Sequence, residues 1–181
     1  MSTSCGWEGK GRYGSFRLTI LGVVVNSRLT ATDHVDGLMS TCSSLLYLMR
    51  VLRNHGIPEI SLKDVFTAIV LSRLLYCAPA WSGFCTAADR ERLEAFLRRC
   101  KRYGYCDQNT PRISELFNDA DDVLFQSVLH RPNHVLQYLL QDREPTQYSM
   151  RSRSHTKELI QKTSNLNNSH FLIRLLYKDC Y

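Results

Sequence analysis

The chain has 181 residues, 44% of them hydrophobic and 22% charged, enough to bury one sizeable core with ordinary globular chemistry. Its formal net charge of +6 and pI near 9.0 suit a polyanionic partner without requiring one. The charge is laid out in blocks: residues 1–106 carry 14 basic and 8 acidic side chains, residues 107–142 carry 2 and 6, and residues 143–181 carry 7 and 3.

Seven cysteines, an odd number with no C-x-x-C pair and no signal-peptide pattern, indicate neither a disulfide framework nor a zinc site. A reducing intracellular compartment is the expectation. No apolar run approaches the ~18 residues of a membrane span. The longest, Val65 to Ala80, is interrupted by Ser72, Arg73 and Pro79 and reads as a buried helix.

In chain order, residues 1–15 are rich in Gly and Ser without apolar period and read as a flexible arm. Phe16 to Val25 is a β-branched run that predicts a buried strand, or one arm of a hairpin, kinked at Gly22 and bounded by Asn26-Ser27. From Asp33 to Arg53, Leu38, Cys42, Leu45, Leu46, Met49 and Leu52 recur on one helical face, with Asn54-His55-Gly56 as the stop.

Ser61 with Asp64, and Thr86 with Asp89, each carry the capping-box spacing. The first predicts a central helix over Leu62–Cys77 that is apolar nearly all round. The second predicts an amphipathic helix in which Leu93, Phe96, Leu97, Cys100 and Tyr103 share a face up to Gly104. Thr110-Pro111 reads as a cap with a first-turn proline, and Asp119 and Asn133 as openings of short helices over Val123–His130 and Val135–Leu140. Residues 143–168 are polar and read as a solvated linker, before a docking helix marked by Phe171, Leu172, Leu175 and Leu176. The fold class is therefore mainly α: a helical bundle with a short N-terminal β-strand or hairpin and a partly disordered C-terminal segment.

Three constellations invite chemistry. Arg98, Arg99, Lys101 and Arg102 put four cations at the last turn of a helix, beside Tyr103 and Tyr105. There they offset the helix dipole, and there they can also grip phosphates while an aromatic ring stacks. His34-Val35-Asp36 matches the H-x-D half of an iron facial triad, with His130, His134, His155 or His170 to complete it, but its place at a helix start is better explained by N-terminal helix charges. Asp119, Asp121 and Asp122 look like a magnesium-binding polymerase pair, yet they precede a helical run, as N-cap carboxylates do. No nucleophile elbow, P-loop, zincin or dinucleotide fingerprint is present, so no autonomous enzyme can be assembled and no cofactor or metal is expected.

The ordered string Leu21-Gly22-Val23-Val24-Val25-Asn26-Ser27-Arg28-Leu29, followed by Asp33-His34-Val35, resembles a block of non-LTR (LINE-type) retrotransposon polyproteins that follows the reverse-transcriptase palm. The similarity runs on through Leu45 to Arg53, Tyr76 to Gly83 and Ala88 to Glu94, and covers roughly residues 18–105. The resemblance implies a thumb and post-polymerase connection that packs beside the palm and holds the template–primer duplex. The catalytic carboxylates of that family lie N-terminal to the block, so it implies a non-catalytic piece without endonuclease. It frames the chain as a thumb-like helical domain at 16–106, an acidic helical extension at 107–142, and a polar linker with a terminal helix at 143–181.

The partners expected on this footing are an RNA–DNA hybrid or another nucleic acid, contacted through backbone phosphates by Arg98, Arg99, Lys101, Arg102 and Tyr103, and the palm domain as a packing partner. Neither a membrane nor a small-molecule substrate is expected. A protein-interaction module using segment 107–142 and the apolar helix at 170–176 is the alternative. A resembling block is also identified as the N-terminal region of an alkylated-DNA repair oxygenase, which would imply iron and 2-oxoglutarate. Trp81 and Phe96 are assigned to packing.

Overall fold

A computed structural model describes residues 16–143, 155–178 and 180. The arm expected at 1–15 lies outside these residues, as do residues 144–154 of the expected linker. The described chain is mainly helical, with a two-stranded antiparallel hairpin before the helices. It forms two compact units, the first ending at Phe117 and the second running from Asn118.

In the first unit, the β-branched run supplies both arms of the hairpin. Strand β1 (Arg17–Ile20) pairs with β2 (Val23–Asn26), with Arg17 opposite Asn26 and Ile20 opposite Val23. What the sequence presents as a kink at Gly22 is a two-residue turn, because Leu21 and Gly22 both take positive φ, 49° and 82°. That geometry matches the twist of the flanking strands. The expected burial does not hold for β1, all of whose residues are exposed, whereas β2 buries Val23 and packs on the following helix.

Asn26 turns the chain into that helix. Its Oδ1 accepts the backbone N–H groups of Arg28 and Thr30, while its Nδ2 donates to Thr30 Oγ1 at 2.7 Å and to Asp33 Oδ2 at 3.2 Å. This is the local competition by which an Asn side chain replaces backbone partners in a turn. Helix α1 (Thr32–Asn54) buries His34, Val35, Leu38, Cys42, Leu46 and Met49 along one face and ends at the expected Asn-His-Gly stop, with Gly56 at φ 81°.

The next helical run is α2 (Glu59–Val65), a π-helical stretch (Phe66–Leu71) and α3 (Ser72–Leu75). Ser61 and Asp64 do not cap it. The helix already starts at Glu59 behind Pro58, whose fixed φ of −58° and extended ψ of 148° set the boundary three residues earlier. Nor is it buried all round: Leu62, Phe66, Val70 and Leu74 are buried while Ile60, Ile69 and Tyr76 are exposed. These buried positions recur every four residues, so an α-helix of 3.6 residues per turn would walk the stripe round by roughly 40° at each step. The wider π turn takes up that drift and keeps the stripe on one side.

By length and composition the helical stretch Glu59–Phe84 reaches what a membrane span needs, longer than the sequence reading allows, and a third of its most apolar window is buried. It is bent at Cys77, whose φ of 51° ends one helix and starts α4 (Ala78–Trp81). Helix α5 (Ala87–Arg102) opens with the expected capping box, Thr86 and Asp89 bonding each other's backbone N–H. Trp81 and Phe96 are buried, as assigned, and Trp81 donates its indole N–H to the Tyr76 carbonyl at 2.9 Å. Trp81 also meets His34 and Phe117 edge-on, at 4.9 and 5.2 Å.

Helix α6 (Ile113–His130) is one continuous element, so Asp119, Asp121 and Asp122 lie within it and do not cap a new helix at Val123. The second short helix expected at Val135–Leu140 reduces to a 3-10 turn at Gln137–Leu139. Within the second unit Phe125, Val128, Leu140, Leu172, Leu175 and Leu176 form the core, with α7 (Phe171–Leu176) supplying three of them. An isolated bridge joins Asp142 to Lys157, and buried His155 bonds the Leu176 carbonyl at 2.9 Å.

Candidate nucleic-acid interface

The four cations at the end of α5 divide into two kinds. Arg98 reaches back along the helix to Glu91 Oε1 at 2.6 Å, and both partners are exposed. Lys101 folds over the loop that follows, donating to the carbonyl of Thr110 and, at 3.2 Å, to that of Gln108, while Gln108 Nε2 returns a bond to the Lys101 carbonyl. Its ammonium is committed to closing that loop. Arg99 and Arg102 are exposed and make no ion pair among the described residues. Three apart on a helix, they are neighbours on its surface.

Tyr103 stands just past the helix, 39% exposed, with its N–H on the Arg99 carbonyl. Tyr105, expected beside it as a second stacking ring, is 1% exposed and belongs to the core. The two rings meet edge-on at 6.0 Å, so the buried one fixes the position of the accessible one.

Two further arginines come from α1. Arg50 lies over the Tyr103 ring, 5.1 Å from its centre, and Arg53 lies over the Tyr105 ring at 4.3 Å while donating to the Tyr103 carbonyl at 2.6 Å. A guanidinium has five N–H donors, so Arg53 keeps several after this bond. The sequence reading missed both residues. Their signal is the one that marked α5: arginines three apart in the last turns of a helix that ends in glycine. The C-terminal turns of α1 and α5 therefore meet at one exposed tyrosine, engaged by Arg50 and Arg53 from α1 and preceded in the last turn of α5 by exposed Arg99 and Arg102. Glu59 and Asp107 share the single Lys63 ammonium, at 3.2 and 2.9 Å.

The other constellations do different work. His34 is buried against Trp81, whereas Asp36 is exposed and pairs with Arg92 at 2.7 Å, so the H-x-D pair is split between interior and surface. Among the described residues no three His, Cys, Asp or Glu side chains are placed to hold a metal. Asp121 pairs with Arg174 at 2.6 Å and Asp122 with Lys178 at 2.6 Å, both within the second unit. Burial pushes Cys42 and Cys85 up to about 11 and Cys100 to about 12, so these thiols are protonated and behave as small apolar groups. Comparison with protein-family models, with curated proteins and with solved structures finds no match for this chain.

Proposed function

We propose that this chain is a thumb-like piece of a non-LTR retrotransposon reverse transcriptase that grips the sugar–phosphate backbone of a nucleic-acid duplex without polymerising. The observation that carries this reading is that Arg50 and Arg53 of α1 engage exposed Tyr103 at the end of α5, whose last turn carries exposed Arg99 and Arg102. Guanidinium groups fit phosphate oxygens in bidentate fashion, and a surface of this kind binds through charge and carries no base readout. The template–primer hybrid is its partner, and a reducing intracellular compartment its setting. Arg98 lies outside the grip because the Glu91 carboxylate already answers its charge, and Lys101 because its ammonium is held by the carbonyls of Gln108 and Thr110.

The test is fluorescence anisotropy with an RNA–DNA hybrid over a salt series, comparing the chain with a variant carrying Arg→Gln at 50, 53, 99 and 102. Binding should weaken steeply with salt, and the variant's log–log slope should be shallower by about one for each phosphate contact removed. Equal slopes for the two proteins would refute the assignment and leave the protein-interaction reading in its place.

A further inference from the structure

A cavity of about 420 Å³ opens in the first unit between the hairpin turn, the first three turns of α1 and the end of α3. That size lies within the range of small-molecule sites. Its wall is apolar at Leu21, Val24 and Leu38, and polar at His34, Arg73 and Tyr76.

The polar groups do not cancel one another. Asp33, which also lines the cavity, is satisfied elsewhere: Arg17 donates to it at 2.9 Å and Asn26 at 3.2 Å. Arg73 is exposed at the rim and has no carboxylate partner among the described residues. Tyr76 spends its hydroxyl hydrogen on the Leu21 carbonyl at 3.1 Å. His34 is 7% exposed, its Nδ1 faces the Val24 N–H at 3.5 Å, and its Nε2 is buried with no partner. Burial, and then the Arg73 charge, hold its imidazole below the ordinary histidine range. The ring is thus neutral, with Nδ1 accepting and the proton on Nε2. One uncompensated cation, Arg73, shares a wall with an apolar surface, and the Nε2–H of His34 is shut behind it.

We propose that this cavity binds a small amphiphilic anion, a carboxylate or a phosphomonoester on an aromatic or branched aliphatic body. Its charge sits on Arg73 and its apolar body lies against Leu21, Val24 and Leu38. The site is separate from the arginines around Tyr103 and does not depend on the nucleic-acid reading.

The structure also supplies a means of closing the cavity. Gly37 lines it from the middle of α1, and a Cβ placed there meets nothing within 4 Å. A leucine at 37 would enter the cavity, and because glycine is the poorer helix former the helix itself would gain.

Trp81, edge-on to His34 at 4.9 Å, reports on the site once Trp7→Phe leaves it as the single tryptophan. In that background, benzoate, phenyl phosphate and inorganic phosphate are titrated at millimolar concentrations against Trp81 emission, in parallel with calorimetry. At least one of the two aromatic anions should bind, and the preference between them identifies a carboxylate or a phosphate headgroup. Arg73→Gln should weaken that binding roughly tenfold or more, the loss of one charge-assisted contact. Gly37→Leu should abolish it without lowering the unfolding temperature. Failure of both aromatic anions to bind, or equal binding by the Gly37→Leu protein, would overturn the proposal. Inorganic phosphate binding as tightly as phenyl phosphate would overturn the role of the apolar wall.

Discussion

Thr32 and Asp89, 57 positions apart, are joined by a 2.9 Å hydrogen bond from the threonine hydroxyl to the carboxylate Oδ2. The same oxygen receives the N–H and hydroxyl of Thr86, at 3.1 and 2.7 Å. One buried carboxylate therefore caps α5 and fastens the first turn of α1 to it. Burial alone would raise this carboxyl, but the bonds from Thr86 and Thr32 and the Arg92 charge outweigh it and leave it below its ordinary range. Stability from a lowered carboxyl is fully present above the unfolded value of 3.8 and is lost as pH falls through the lower folded value. Asp89→Ala should cost about 2–4 kcal/mol, a lost cap plus orphaned buried donors, and Thr32→Val about 1 kcal/mol. Urea unfolding at neutral pH reads both.

His34 gives a second, separate pH response. Its folded value is lowered from 6.5, so the unfolded chain binds the proton more readily than the folded one. Stability is full above 6.5, declines as pH falls below that value, and stops declining once pH is under the folded value. His34→Phe should remove this decline while leaving the one at lower pH due to Asp89. Urea midpoints at about pH 7.5 and about pH 5 would show it as a smaller difference in the variant.

Leu21 holds a left-handed conformation with its side chain 72% exposed. A leucine there has little burial to lose and carries the steric cost of positive φ. Leu21→Asn should stabilise the first unit by about 1 kcal/mol, since asparagine tolerates this conformation in tight hairpins. A thermal melt no higher than that of the parent would show that the turn is not strained.

The adjacent carboxylates of α6 should differ sharply. Asp121 has a side chain 6% exposed and its bond to Arg174, whereas Asp122 is 47% exposed and bonded to Lys178. Asp121→Ala removes a buried carboxylate that burial already holds above its ordinary range, and leaves a half-buried Arg174 without its charge-assisted bond, so it should cost roughly 1–3 kcal/mol. Asp122→Ala should cost about 1 kcal/mol or less, as exposed pairs do. Chemical denaturation of the two variants makes the comparison, and equal losses would contradict the burial argument.

What the sequence revealed and what it hid divide along the range of the interactions. The capping box at Thr86 and Asp89, the glycine stops at 56 and 104, and the apolar faces of α1 and α5 are local patterns, and each stands where the residues place it. Asp121 and Asp122 read as caps because acids gather at helix starts, yet their partners Arg174 and Lys178 come 53 and 56 residues later. The turn at Leu21-Gly22 was hidden because leucine is not a turn residue by composition. At the basic surface, Arg99, Arg102 and Tyr103 are exposed as expected, but Arg50 and Arg53 join them only through the packing of α1 beside α5. Arg98 and Lys101 leave the group through partners near in sequence, Glu91 on the same helix and the carbonyls of Gln108 and Thr110 in the loop after it.

The π-helical stretch Phe66–Leu71 sets an angular phase. A wide turn amounts to one residue inserted into an α-helix, and each residue of an α-helix turns the chain by roughly 100°. Leu62 upstream of the stretch and Phe66 at its start are buried in the core, while Arg73 and Tyr76 downstream border the cavity beside the hairpin. Deleting a single residue within the stretch would restore regular winding and swing the downstream side chains about a third of a turn round the axis. The core stripe and the cavity wall would then lie out of step, so this segment should tolerate many substitutions yet no change in its length.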